Sequence, residues 1–284
     1  MSRPPTFIPP PCARTRALAT SRGPFATLDA QPAAGTAKAT VMLLPGFSGS
    51  KEDFIALLEP LADAGYRAVA IDGRGQYETA GPDDRQAYTQ VELAQDVLAQ
   101  AEAVGGPVHL VGHSLGGQIA RAAVLLDAAP FTTLTLMSSG PAHIVLAQQQ
   151  KVRLLSDALT VMGMEKVWEA MKALDPPEDA EVDGEDLRRR WLSHNPAQLI
   201  ATGHALTVEP DRVDELAAVQ PLPKHVLSGE RDDTWPVPQF DAMARRLGAR
   251  RTVIVGAEHS PNTDRPQETA RALIDFWDEQ VAQN

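Results

Sequence analysis

The stretch PVHLVGHSLGGQIARAAVLL, Pro107–Leu126, decides the fold. Its first part is apolar and rich in valine, as in a strand covered on both faces. Its second part repeats apolar residues at helical spacing. Between them stands Gly112-His113-Ser114-Leu115-Gly116, a serine set among glycines where a strand passes into a helix. A side chain on so sharp a turn has strained backbone angles, and its neighbours must be small to avoid clashes. The turn lifts the Ser114 hydroxyl clear of the sheet, and the following helix turns its N-terminal amides toward negative charge forming there. The pentapeptide fits G-x-S-x-G in the strand–turn–helix context that gives the pattern its meaning. The competing reading is a glycine-rich turn with an inert serine.

A rhythm extends outward from this stretch. Apolar, β-branched runs recur at ATVMLLPG (39–46), YRAVAIDG (66–73), TLTLMSSG (133–140), KHVLSGE (224–230) and RTVIVGAE (251–258). Helix-period segments separate most of them. KEDFIALLEPLADAG puts Phe54, Leu57, Leu58 and Leu61 on one stripe and stops at Gly65. TQVELAQDVLAQAEAVGG opens with Thr89 and carries Glu92 at capping-box spacing. The tail from Pro266 turns Ala270, Leu273, Ile274 and Trp277 inward. Alternating strands and helices predict an α/β fold, a mostly parallel doubly wound sheet with helices on both faces. Two runs around Arg22-Gly23 predict an antiparallel hairpin ahead of it. The proline-rich residues 1–11 read as loosely ordered.

Between Gly140 and Pro223 the rhythm breaks. No strand run is evident there, and the segment reads as several helices interrupted at LDPPEDAEVDGEDL and at Pro196. We expect residues 1–139 and 224–284 to form the core, with 140–223 a helical insertion folded over one end of the sheet. Acidic residues outnumber basic ones by about two to one from Glu165 to Glu215, as on a solvated face.

The net charge of −11 argues against nucleic acid as a partner. A single cysteine, Cys12, allows no intrachain disulfide and suits the cytoplasm. No apolar run reaches the roughly 18 residues of a membrane span, and the N-terminus has no apolar core of a signal peptide. Neither H-E-x-x-H nor paired cysteines occur, so no metal is expected, and no G-x-G-x-x-G points to a dinucleotide. No cofactor is expected.

From about Ala39 to Gln280 the chain resembles the α/β-hydrolase family, and GHSLGG is a typical form of that family's nucleophile elbow. Residues 140–223 look like its variable cap. The resemblance implies an acid and a base after the serine in chain order. A serine hydroxyl needs a base to take its proton. Of seven histidines, His259 follows the last strand run in VGAEHSPNTDRP, on the sheet edge where the elbow also lies. EHSP resembles the family's histidine loop. His109 sits within a strand, His113 on the elbow, His225 at a strand start, and His143, His194 and His204 in the insertion.

An imidazole base needs a carboxylate to fix its tautomer. LSGERDDTWPVP offers Asp232 and Asp233, and the family's usual spacing of glycine, two residues, then acid selects Asp232. Asp233 is the alternative. The resemblance also implies two backbone donors for an oxyanion, Leu115 after the nucleophile and Phe47 in LLPGFSGS. Pro45 stands where the family commonly has histidine, yet the required donor follows Gly46. Ser48 either touches substrate or caps the helix beginning near Lys51. The loop IDGRGQYETAGPDD reads as structural, shaping one pocket wall. Trp168, Trp191 and Trp235 are core or pocket aromatics, with Trp235 the best candidate for substrate contact.

The expected activity is a cofactor-free serine hydrolase acting on a small-molecule ester or lactone. Carbon–carbon hydrolysis, thioester cleavage, acyl transfer and perhydrolysis would use the same residues. A non-catalytic binding protein on this fold is the third reading, against which the complete set of Ser114, Asp232 and His259 argues.

Overall fold

A computed structural model describes residues 2–33, 35–173 and 184–281. The predicted hairpin opens the sheet. β1 (Ala13–Thr20) pairs antiparallel with β2 (Gly23–Ala30), and Gly23 takes the positive φ the tight turn needs. Six further strands follow: β3 (Thr40–Leu44), β4 (Arg67–Ile71), β5 (Val108–His113), β6 (Phe131–Met137), β7 (Lys224–Gly229) and β8 (Arg250–Ile254). The strand order is β1-β2-β4-β3-β5-β6-β7-β8, and every pair from β4 to β8 is parallel. This is the mostly parallel sheet that the alternating pattern predicts.

The helices are α1 (Ile55–Asp63), α2 (Gln90–Val104), α3 (Leu115–Leu126), α4 (Leu146–Val161), α5 (Met164–Lys172), α6 (Gly184–Ser193), α7 (Pro196–Val208), α8 (Val213–Ala217), α9 (Val237–Leu247), α10 (Pro261–Asp264) and α11 (Pro266–Val281). Successive strand residues point to opposite faces, so each strand feeds two cores. Met42, Leu44, Val69, Leu110 and Val226 pack with α2, α3 and α9. Val41, Leu43, Val111, Met137 and Leu227 pack with α1 and α11, where Leu273, Phe276 and Trp277 are buried. Burying a side chain of the size of Leu273 or Phe276 contributes about 1.5–3 kcal/mol.

Two local expectations are refined. Thr89 accepts from the Glu92 N–H, but the Glu92 carboxylate turns to Arg22 instead of completing the box. The first turn after Ser50 is a 3₁₀ turn, Lys51–Phe54, before α1 begins.

Among the described residues five helices, α4 to α8, lie between β6 and β7. Leu159, Val167, Trp168, Leu187, Trp191 and Leu199 form a third apolar cluster there, so Trp168 and Trp191 are core residues. The expected interruption around LDPPEDAEVDGEDL falls largely on residues 174–183, outside the described residues. Residues 2–11 correct the expectation of looseness. Pro4 is buried, and Phe7 packs against the third cluster and the Tyr77 ring.

Candidate active site

Ser114 stands between β5 and α3, at the N-cap of the helix, with φ 54° and ψ −119°, a conformation that costs a non-glycine residue free energy. Its neighbours explain how the turn can exist. A Cβ on Gly112 would sit 2.3 Å from the Gly116 carbonyl oxygen, and one on Gly116 would sit 2.4 Å from that of Leu44. The Ser114 N–H donates to the Met137 carbonyl at 2.9 Å, fixing the elbow to the end of β6.

The loops after β7 and β8 meet this elbow. His259 Nε2 lies 3.0 Å from Ser114 Oγ, and His259 Nδ1 lies 2.8 Å from Asp232 Oδ2. The Asp232 side chain is fully buried, and its Oδ1 accepts the N–H groups of Thr234 at 2.8 Å and Trp235 at 3.0 Å. Buried charge at this position is thus satisfied from three sides. Asp233 points elsewhere and accepts from Gln148 Nε2 at 2.5 Å. The acid and histidine loops are stitched together, with Glu230 N–H on the Ile254 carbonyl and Arg231 N–H on the Ala257 carbonyl. Arg231 pairs at the surface with Glu258.

The N–H groups of Phe47 and Leu115 have no acceptor among the described residues. Leu115 follows Ser114 in the chain, and Phe47 lines the same cavity as Ser114. The loop carrying Phe47 is held from behind. Gln76 Nε2 donates to the Gly46 carbonyl at 2.9 Å. Asp72 Oδ1 accepts the Lys51 N–H at 2.7 Å and its Oδ2 accepts from Lys51 Nζ at 3.0 Å. Burial opposes the Lys51 charge, but Asp72, Glu52 and Glu78 together hold the ammonium above its usual range. The 71–84 loop is structural, as expected, but it braces the Phe47 loop from outside and contributes no residue to the cavity.

Ser114 and His259 open onto a cavity of about 160 Å³. Phe47, Ile144, Val152 and Leu206 give it an apolar side, and Ser48, Gln148, Thr234 and Ser260 a polar one. Among the described residues no lysine or arginine lines it. Ser48 is a wall residue and not a cap, because the helix start falls at Ser50, whose N–H bonds to Asp53. Trp235 is a correction. It is fully enclosed, donates Nε1–H to the Ala142 carbonyl at 2.9 Å, lies with its ring 6.1 Å from that of His259, and is not part of the cavity lining.

The other histidines do not reach Ser114. His109 stacks on Trp277 and His225 bonds to Thr252. His194 is buried between the Arg190 and Gly49 carbonyls, while His143 and His204 are exposed. His113 bonds through Nε2 to the His259 carbonyl at 2.9 Å, and burial pushes its pKa down to about 4. Since a carbonyl can only accept, the neutral ring carries its proton on Nε2.

Ile144, Gln148, Val152 and Leu206 escape the sequence reading, because nothing in helical periodicity tells which residues of an inserted segment face a distant loop. Ser2, also in the wall, carries no signal at all. Among the described residues no group of histidine, cysteine and carboxylate side chains is arranged to hold a metal, and no helix is long and apolar enough to cross a membrane.

Comparison with known proteins adds four findings. The sequence model of the alpha/beta hydrolase family matches residues 41–272. A putative 2-succinyl-6-hydroxy-2,4-cyclohexadiene-1-carboxylate synthase of Bacillus subtilis is 24% identical over 89% of this chain and 94% of its own. A 2-hydroxy-6-oxononadienedioate/2-hydroxy-6-oxononatrienedioate hydrolase of Paraburkholderia xenovorans is 25% identical over 86% of this chain and 88% of its own. Among solved structures, a thermophilic esterase from Thermogutta terrifontis shares the fold with a TM-score of 0.75 at 22% identity, covering 94% of this chain and 99% of its own.

Proposed function

The chain belongs to the alpha/beta hydrolase family, and on that premise we propose that it is a serine hydrolase that cleaves an uncharged carboxylic ester or lactone without a cofactor. One observation carries the reading: the unbroken relay from Ser114 Oγ through His259 to the buried Asp232, at 3.0 and 2.8 Å, with the serine facing a cavity. In this reading His259 Nε2 takes the Ser114 proton as the oxygen attacks the acyl carbon. Asp232 holds Nδ1–H and stabilises the imidazolium that forms. The tetrahedral oxyanion accepts from Phe47 and Leu115, each donor contributing about 2.7–4 kcal/mol in comparable sites. His259 returns its proton to the leaving alkoxide. It then activates water to release the acid and free Ser114.

Carbon–carbon bond hydrolysis, thioester cleavage, acyl transfer and perhydrolysis could run on the same residues. The charge of the cavity favours a neutral ester. The two full-length relatives are named for dioate and carboxylate compounds. A carboxylate in so small a space is matched best by a cation, and no lysine or arginine among the described residues lines this wall, whose polar side offers hydroxyls and the Gln148 amide instead. A cytoplasmic location, suited to one free cysteine, is part of the proposal. The test is a panel of p-nitrophenyl esters, lactones, thioesters and a vinylogous diketone, run on the wild type and Ser114→Ala. Turnover of neutral esters that Ser114→Ala abolishes supports the reading. Equal turnover by both proteins, or cleavage of the diketone alone, refutes it.

A further inference from the structure

We propose that the N-terminal segment, residues 2–8, is a strap that divides the cleft over Ser114 and limits the length of the group that can lie there. The proposal rests on the reading of Ser114 as nucleophile and narrows the substrate class to esters with a short acyl chain.

Ser2 stands in the wall of the 160 Å³ cavity that holds Ser114. It also stands in the wall of a second cavity of about 270 Å³, lined by Arg3, Glu258, Thr263 and Asp264. Ser2, His259 and Ser260 border both, so they form the partition between them. His259 and Ser260 belong to a loop that the acid loop and α10 hold in place. Ser2 is the part of the partition that arrives from a separate segment.

Two anchors of that segment are seen among the described residues. The Ser2 carbonyl accepts from Arg190 Nη2 at 2.6 Å. Arg190 is fully buried, and its Nη1 donates to Asp53 at 2.7 Å. Further along, the Phe7 ring meets the Tyr77 ring edge-on at 6.4 Å and lies 5.8 Å from the Arg190 guanidinium. Pro4 is buried between the anchors. Prolines at 4, 5, 9, 10 and 11 fix φ and reduce the entropy lost when the segment is ordered. Arg190 belongs to α6, in the same inserted run of helices that supplies Val152 of α4 and Leu206 of α7 to the cavity wall. One buried guanidinium therefore couples the strap to α6 and to the turn that carries Asp53.

With the strap seated, a chain attached at Ser114 ends against Ser2. With it lifted, the two spaces join. The test uses the full chain and fluorophosphonates bearing an ethyl or a decyl group, reading the ratio of their labelling rates at Ser114. Phe7→Ala removes the outer anchor and is expected to raise the decyl/ethyl ratio at least about fivefold, the scale on which methylenes are discriminated by an apolar wall. Ser2→Trp, at a residue with no side-chain hydrogen bond among the described residues, thickens the partition and is expected to lower the ratio by about threefold or more. Ratios within about twofold of wild type in both variants overturn the strap while leaving the nucleophile intact. Labelling by neither probe in the wild type overturns both.

Discussion

Replacing Asp232 by asparagine separates the electrical role of this residue from its structural one. Oδ1 of Asp232 accepts two backbone N–H groups, from Thr234 at 2.8 Å and Trp235 at 3.0 Å. An amide NH₂ cannot accept, so the asparagine oxygen must take that place. Its NH₂ then faces His259 Nδ1 across the 2.8 Å now bridged by Oδ2. A donor there requires a lone pair on Nδ1, which sends the ring proton to Nε2. Nε2–H would donate to Ser114 Oγ and could no longer take its proton. The expected loss in kcat is on the order of 10³–10⁴, or about 4–5.5 kcal/mol of barrier. The melting temperature should stay near that of the wild type, because both backbone bonds survive. Asp232→Ala makes the contrast: it orphans two N–H groups, each at about 1–3 kcal/mol, and should lose stability as well as rate. The assay is steady-state hydrolysis of p-nitrophenyl acetate beside thermal melts of the same preparations. Asp232→Asn turnover within about tenfold of wild type, or an equal loss in Asp233→Asn, would refute the tautomer argument.

Three further outcomes are expected. Gly116→Ala would place a Cβ 2.4 Å and 2.6 Å from the Leu44 and Pro45 carbonyl oxygens. Neither backbone can yield without moving β3, so urea unfolding should show a loss of about 3 kcal/mol or more, and an unchanged midpoint would contradict it. Glu209→Ala strips the buried Arg121 of its carboxylate partner at 2.7 Å and should cost about 3–5 kcal/mol in the same measurement, whereas a loss under about 1 kcal/mol would mean the guanidinium is satisfied elsewhere. Burial pushes His109, His113 and His194 down to about 4 and His225 to about 3. Against about 6.5 when unfolded, each contributes stability that is complete above pH 6.5 and is lost as the pH falls toward 4, about 3 kcal/mol apiece. Asp72, pushed up to about 7 by burial, acts with the opposite sign over much of this window, but one carboxyl opposes four imidazoles. The urea midpoint should therefore be lower at pH 5 than at pH 7, and an equal or higher one would refute the account.

The residues of the relay were legible because each sits just beyond a strand end, and strands announce themselves by apolar runs. Ser114 is further marked by glycines that backbone contacts under 3 Å make obligatory. The choice between Asp232 and Asp233 depended on family spacing. Its physical cause, the turn that aims the Thr234 and Trp235 amides at one carboxylate, has no signature in composition. The same holds for Glu92, whose capping partner was outbid by Arg22 from a distant hairpin. Trp235 was misread because proximity to Asp232 in the chain says nothing of which side of the loop an indole takes. The cavity walls were the least legible. They come from α4, α7 and the proline-rich start, and their meeting is fixed by side chains such as Arg190 that link segments far apart in sequence.

The bond from His113 to the carbonyl of His259 gives the molecule an internal gauge. The residue beside the nucleophile grips the main chain of the base across 146 positions of sequence. Any drift of the histidine loop must then drag the serine's own neighbour along, so the oxygen-to-nitrogen gap is preserved while both parts fluctuate together. Sliding apart would require two loops to break step, and the imidazole next door is what keeps them marching.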